Sequence, residues 1–191
     1  MLLAENILTS GIPYYSVCNV KRTIERVEIS PNNYEHSQIR AFLNGLSYEY
    51  KESDSAEQTQ KDEYKGIGFL QTAFTPGDQG LIENTTVDKS TASTTDKIFL
   101  LSKQEATMSD YGFAEYNASG EDNTRIRVTT DYAKATGAYQ SATVGQWWLR
   151  SPHYIDENFA LYIDNNGYAN YSRKVNLMEF GVVPALSISL Q

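Results

Sequence analysis

The pattern of the C-terminal stretch, residues 145–191, constrains this chain more than any other feature. It opens with Gln146-Trp147-Trp148-Leu149-Arg150-Ser151-Pro152, an aromatic, apolar run that holds both tryptophans of the protein. It closes with Gly181-Val182-Val183-Pro184-Ala185-Leu186-Ser187-Ile188-Ser189-Leu190, whose β-branched and apolar residues predict a buried terminal strand. Between these clamps the composition changes to His153, Tyr154, Asp156, Asn158, Phe159, Asn165, Asn166, Tyr168, Asn170, Tyr171, Ser172, Arg173 and Asn176, with Met178 and Glu179 at its end. Tyr supplies rigid amphipathic area, and Asn and Ser supply adaptable hydrogen bonds, so this is the composition of a recognition surface. An inert edge strand would use Thr, Lys and Glu instead.

Within the stretch, Asp164-Asn165-Asn166-Gly167 is a hairpin signal, because Asn-Gly suits the left-handed dihedrals of a tight turn. Trp147 and Trp148 are expected to split, one in the core and one partly covering a neighbouring loop. Arg150 is expected to be a buried or half-buried anchor for loop carbonyls or an acidic partner, so its replacement should cost stability before binding.

Upstream, residues 2–8 predict a strand and Gly11-Ile12-Pro13 a turn. Asn33 can cap a helix over residues 35–43, with Ile39, Phe42, Leu43 and Leu46 on one face and Asn44-Gly45 as its stop. The acidic segment 50–65 reads as a surface loop or a solvated helix. A short helix around residues 69–74 precedes Thr75-Pro76-Gly77-Asp78, where Thr75 can cap and Pro76 can take the first helical position. Thr85-Thr86-Val87 predicts a short strand, residues 89–95 a loop, and Ile98-Phe99-Leu100-Leu101 a buried strand. Ser102 and Glu105 have capping-box spacing. Residues 110–124 predict an exposed loop, and Thr130 a cap for residues 131–135, which Gly137 ends. A helix-bearing first part and a β-rich C-terminal part give an α+β class, with short helices packed on antiparallel sheet. With 191 residues and 40% hydrophobic content, the chain has the length and composition of one folded domain, 1–191.

The formal charge of −8 leaves no basic excess to neutralise phosphates, which argues against nucleic acid and against anionic membranes as partners. No stretch approaches the ~18 apolar residues of a membrane span. The single cysteine, Cys18, permits no internal disulfide and reads as a packed thiol. His36 and His153 are the only histidines and are not clustered with ligand spacing, so neither a zinc site nor a His-based catalytic site is expected. Residues 164–166 lack the further acidic ligands of a calcium loop. Neither a phosphate-binding loop nor a nucleophile elbow is present, so no cofactor and no enzymatic activity are expected.

Trp147-Trp148-Leu149-Arg150-Ser151-Pro152, the Asn/Tyr-rich cassette and the closing Gly181-Val182-Val183-Pro184 run together resemble the variable region of C-type lectin-fold proteins diversified by retroelements. The likeness is to the spirochaetal variable surface lipoproteins in particular. It extends upstream to Ser37-Gln38-Ile39-Arg40-Ala41-Phe42-Leu43-Asn44-Gly45, Gly68-Phe69-Leu70-Gln71-Thr72-Ala73-Phe74-Thr75-Pro76, residues 94–102 and residues 130–135. The resemblance implies a C-type lectin-like fold of the formylglycine-generating-enzyme-like subtype, entered partway, so that N-terminal strands of the family would be lacking from this chain. Formylglycine chemistry uses cysteine, and Cys18 does not match that site.

The resemblance also implies that template adenines are copied error-prone into residues 153–180, scattering Asn-type codons into Tyr, Asp, Ser, His and Phe. Ala160, Ile163, Gly167, Val175 and Gly181 would then be fixed scaffold, and Leu161 and Tyr162 could belong to either class. The expected function is non-enzymatic binding of a protein or glycan ligand at the cell surface or outer membrane, through a lipid anchor not present in this chain. Stacking would come from Tyr154, Phe159, Tyr168 and Tyr171. Orientation would come from Asp156, Asn158, Asn170, Ser172, Arg173, Asn176 and Glu179. The alternative is a structural or assembly module with one fixed partner.

Overall fold

The computed structural model describes residues 1–87, 94–115, 120–169 and 171–189. From the N-terminus the chain forms β1 (Leu2–Leu3), β2 (Asn6–Ile7), the hairpin β3 (Arg22–Ile24) and β4 (Val27–Ile29), and helix α1 (Gln38–Asn44). There follow the hairpin β5 (Tyr48–Lys51) and β6 (Gln58–Lys61), helices α2 (Phe69–Ala73) and α3 (Pro76–Leu81), and the pair β7 (Thr85–Val87) and β8 (Thr94–Asp96). Single-turn 3₁₀ helices at Glu105–Thr107, Ser109–Tyr111 and Asn123–Arg125 lead to β9 (Arg127–Thr129) and α4 (Asp131–Ala135). The remainder is strand and turn: β10 (Gln140–Ser141), β11 (Val144–Gly145), β12 (Trp147–Pro152), β13 (Phe159–Ile163), β14 (Tyr171–Lys174) and β15 (Ala185–Leu186). Short helices with many antiparallel pairs make the fold α+β.

Residues 181–186 are its hub. Val182 N–H donates to Thr9 O and Leu8 N–H to Val182 O, which ties the segment to the N-terminus. Trp148 N–H donates to Gly181 O and Gly181 N–H to Gln146 O, which ties it to β12. Phe99 and Ala185 exchange both backbone hydrogen bonds, and β1 pairs with β15 in the register Leu2↔Leu186. The expected terminal strand is therefore buried but not continuous. Pro184 has no N–H for a ladder, so the segment pairs in pieces with several neighbours instead of along one strand. Gly181 is required there, because a Cβ would lie 2.3 Å from Ile7 Cγ2.

The other sheets radiate from this hub. The four-stranded sheet runs β10-β11-β9-β2, with β2 and β9 parallel. The three-stranded antiparallel sheet runs β12-β13-β14. Ile7, Leu43, Ile98, Leu100, Leu101, Leu149, Ile163, Val182 and Val183 are all fully buried in one core. Trp147 and Trp148 join them at 0% exposure, so both tryptophans are core, not one core and one loop cover. Trp147 donates its indole N–H to Arg125 O at 3.1 Å, and Trp148 packs on Phe180 with ring centroids 4.2 Å apart.

Capping chemistry fixes several boundaries as expected. Thr75 and Asp78 form a capping box with Pro76 in the first turn of α3, Thr130 accepts from Ala133 N–H at the start of α4, and Gly45 closes α1 at φ 68°. Ser102 and Glu105 cap each other at 2.7 and 3.1 Å.

Other expectations need correction. α1 is capped by Ser37, whose Oγ accepts from Arg40 N–H, while Asn33 Oδ1 caps the preceding turn by accepting from His36 N–H. Residues 2–8 split into β1 and β2. The acidic segment 50–65 is mostly the β5–β6 hairpin, because Tyr48 and Tyr50 turn inward to the core and leave Glu52, Asp54 and Glu57 in the connection. Residues 98–101 are buried but form no regular strand: Phe99 bridges Ala185, and Leu101 O accepts from Arg150 N–H at 2.9 Å. Of residues 89–95, Thr94 and Thr95 belong to β8, and 89–93 lie outside the described residues.

Candidate functional site

The cassette is built on the three-stranded sheet. β13 pairs with β14 in the register Phe159↔Lys174, Ala160↔Arg173, Leu161↔Ser172 and Tyr162↔Tyr171. Ala160, Ile163 and Val175 are fully buried, Tyr162 is 2% exposed and Leu161 9%. Directly paired residues share a face, so Tyr162 and Tyr171 lie side by side with ring centroids 6.1 Å apart. Tyr168 packs on Tyr171 at 4.6 Å, and the Arg173 guanidinium lies 5.5 Å over the Tyr162 ring. Phe180 meets the Tyr162 ring edge-on at 4.8 Å, which anchors the aromatic ladder to Trp148 and the core. Burial raises the Tyr162 phenol pKa, with Arg173 opposing it.

At one end of the sheet, residues 153–158 form a turn that spends its own polar groups on itself. His153 N–H donates to Phe159 O at 2.9 Å, and Asp156 N–H to His153 Nδ1 at 3.0 Å. Asn158 N–H donates to Asp156 Oδ1 at 2.9 Å, and its own side-chain oxygen accepts from Asn19 N–H. The buried Asn32 reaches in from far upstream. Its amide N–H groups face His153 O, Asp156 O and Phe159 O at 3.3, 3.2 and 3.0 Å. Lys21 pairs with Glu157 at 3.1 Å. The rigid turn thrusts out Tyr154, 89% exposed, and Ile155, 72% exposed. Phe159 is half-buried.

At the other end, Asp164 Oδ1 accepts from Asn166 N–H at 2.9 Å and Tyr168 N–H at 2.8 Å, and Gly167 N–H donates to Asp164 O at 3.0 Å. The expected Asn-Gly turn is present, although the ladder resumes only at Tyr171. Asn165 donates its side-chain N–H to Asn166 Oδ1 at 3.3 Å. The turn is docked on residues 120–125. A Cβ on Gly167, at φ 78°, would lie 2.0 Å from Asp122 O, and one on Gly120 would lie 2.1 Å from the Tyr168 ring. Arg125, at 0% exposure, holds the junction. Its guanidinium donates to Gly167 O at 2.7 Å, Gly120 O at 2.8 Å and Ala114 O at 2.6 Å, and meets Asp122 at 3.3 Å. Burial lowers the Arg125 pKa, with Asp122 opposing it. For Asp122, burial works to raise the pKa, but hydrogen bonds from Thr124 and Ala114 and the charge of Arg125 hold it below its ordinary value.

The remaining expected residues divide. Ser172 is half-buried and Arg173 exposed. Asn176 is exposed and accepts from the Cys18 thiol at 3.1 Å. Asn170 lies outside the described residues. Met178 and Glu179 do not join the sheet face. Their carbonyls accept from Gly11 N–H and Tyr139 N–H, and Met178 lines a groove of about 650 Å³ whose other walls, among them Leu8, Ile12, Phe42, Phe69 and Tyr132, lie outside residues 153–177. Sequence reasoning missed Asn32, Lys21, Arg125, Ile155 and Lys174. Of these, only the apolar Ile155 in an otherwise polar turn carried a local signal.

Arg150 behaves as expected, donating to Leu100 O at 2.7 Å and pairing through both terminal nitrogens with Glu105. His36 stands 3.7 Å from Glu35, and burial lowers its pKa. Among the described residues there is no group of three or more His, Cys, Asp or Glu side chains that could hold a metal ion, and no helix long and apolar enough to cross a membrane.

Residues 1–190 match the family described as a domain of unknown function, DUF6273. The chain belongs to the DUF6273 family. No curated protein and no solved structure matches it.

Proposed function

We propose that this DUF6273 protein is a non-enzymatic ligand-binding protein of C-type lectin-like fold, formylglycine-generating-enzyme-like subtype. It presents residues 153–180 at the cell surface as a retroelement-diversified site for a protein or glycan. The observation that carries the reading is the division inside the cassette. Ala160, Ile163 and Val175 are fully buried and Gly167 abuts the Asp122 backbone, whereas Tyr154, Tyr171, Arg173, Asn176 and Met178 are exposed. A diversified surface needs this division, because exposed side chains change at little cost while buried ones do not. Tyr and Arg are also the residues in which binding energy concentrates. His153, Asp156 and Asn158 fall on the framework side, since their polar atoms hold the turn that presents Tyr154.

The test is to sequence the 3′ end of the gene across isolates and to search nearby for an almost identical template copy. Substitutions at template adenines, concentrated at codons 154, 171, 173, 176 and 178, are expected. A uniform cassette with no template nearby would overturn diversification and favour an assembly module with one fixed partner.

A further inference from the structure

β14 is the terminal strand of its sheet. Among the described residues no strand pairs with its outer side, and residues 171, 173 and 174 are exposed. An unpaired strand edge presents backbone N–H and C=O groups that a second extended segment can complete. Its side chains are unusual for this protein. In a chain of formal charge −8, Arg173 and Lys174 are adjacent cations, and neither has a carboxylate within ion-pairing distance among the described residues. Several other cations are ion-paired, Lys21 with Glu28 and Glu157, Arg40 with Asp96, Lys65 with Asp62 and Arg150 with Glu105, whereas Arg173 and Lys174 stand next to each other on an open strand edge. Beside this pair stands the aromatic ladder of Tyr162, Tyr171 and Tyr168, a flat apolar surface next to a positive one.

Resting on the reading of this hairpin as a binding surface, we propose that its ligand is an extended, acidic peptide segment that adds to β14 as a fourth strand. The backbone of Tyr171–Arg173 and the Lys174 N–H would supply the ladder, since Lys174 O already accepts from Leu177 N–H at 3.2 Å. Arg173 and Lys174 would face carboxylates at neighbouring positions, and Tyr171 would cover an apolar side chain. Two residues of like charge on the edge also discourage pairing with a second copy of the same strand, so the edge is closed to itself and open to a segment of opposite charge.

The experiment is selection of a phage-displayed random peptide library on the full chain, followed by affinity measurement with the synthetic peptides obtained. The expected winners carry Asp or Glu among β-branched residues. Their binding falls at least about tenfold with K174E and further with R173E/K174E, and weakens with added salt. N-methylation at every second peptide position abolishes binding and at the intervening positions is tolerated, because successive backbone groups of a strand point to opposite sides. K174E, at an exposed position, serves as the variant that leaves the melting temperature unchanged. Failure to select any peptide overturns the proposal, as does winners without acidic residues or uniform tolerance of N-methylation. If Y171A destroys peptide binding while charge reversal does not, the acidic partner is refuted and the hairpin surface stands. If neither change affects a selected peptide, the hairpin reading falls with it.

Discussion

Replacing Asn32 with Ala tests the claim that the Tyr154 turn is held from outside the cassette. Asn32 is 4% exposed, and its amide faces three carbonyls of residues 153–159 at 3.0 to 3.3 Å. Two N–H groups cannot make three full hydrogen bonds, so the change removes the equivalent of about two to the turn. It also removes the bond from Ser30 Oγ to Asn32 Oδ1 at 3.0 Å, whose part-exposed hydroxyl turns to water. Asp156 O and Phe159 O keep backbone donors at 3.1 and 2.9 Å, which leaves His153 O as the carbonyl that loses most. At about 1 kcal/mol per hydrogen bond, with a small addition for a carbonyl left short of a donor, the loss is roughly 2 kcal/mol. For a chain of this size that lowers Tm by roughly 4–8 °C. Thermal melts and hydrogen exchange should agree: Tm falls, and the amides of Asp156, Asn158 and Phe159 exchange faster while those of residues 160–163 change less. A Tm shift under about 1 °C with unchanged exchange in this turn would refute the reasoning and leave the turn supported by its own hydrogen bonds and by Asn19 and Lys21.

Other perturbations follow from the same geometry. Arg150→Ala should cost roughly 3 kcal/mol in denaturant unfolding, because Glu105 is left without its bidentate partner in a largely buried setting; a loss under about 1 kcal/mol would show the pair to be dispensable. Gly167→Ala combines a left-handed φ of 78° with a Cβ placed 2.0 Å from Asp122 O, so it should cost more than about 2 kcal/mol and unseat Tyr168, read as loss of stability together with altered near-ultraviolet dichroism. The folded-state pKa of Asp122 is depressed, so its contribution is present above the ordinary carboxylate range and lost as pH falls through the folded value. Asp122→Asn should therefore flatten the acid limb of the stability curve below about pH 4 relative to the unaltered protein, and superimposable acid limbs would contradict the assignment.

Much of the chain was legible in the sequence wherever the deciding interaction is local. Thr75 with Asp78, Ser102 with Glu105, Thr130 before α4 and Gly45 after α1 act over at most four or five residues, so residue order alone reveals them. The Asn166-Gly167 turn and the buried character of residues 181–183 follow from the same kind of short-range pattern, whereas residues 160, 163 and 175 were expected as scaffold only through the family resemblance. What misled was also local. The acidic run after Tyr50 suggested a solvated loop, because the inward tyrosines that make it a hairpin are only two in number. The tryptophans were expected to divide, although the core has room for both once Phe180 and Arg125 close over them.

The sequence by itself determined the α+β class, the caps of α3 and α4, the Asn-Gly turn and the contrast between apolar clamps and polar cassette, because each is set by neighbours along the chain. Only the tertiary structure decided which polar residues of the cassette are exposed and which are spent on the frame. Asn32 and Arg125 are separated from the turns they hold by more than a hundred and by some forty residues, respectively. A buried carbonyl takes whichever donor the fold brings to it, and no pattern of neighbours announces a donor that far away.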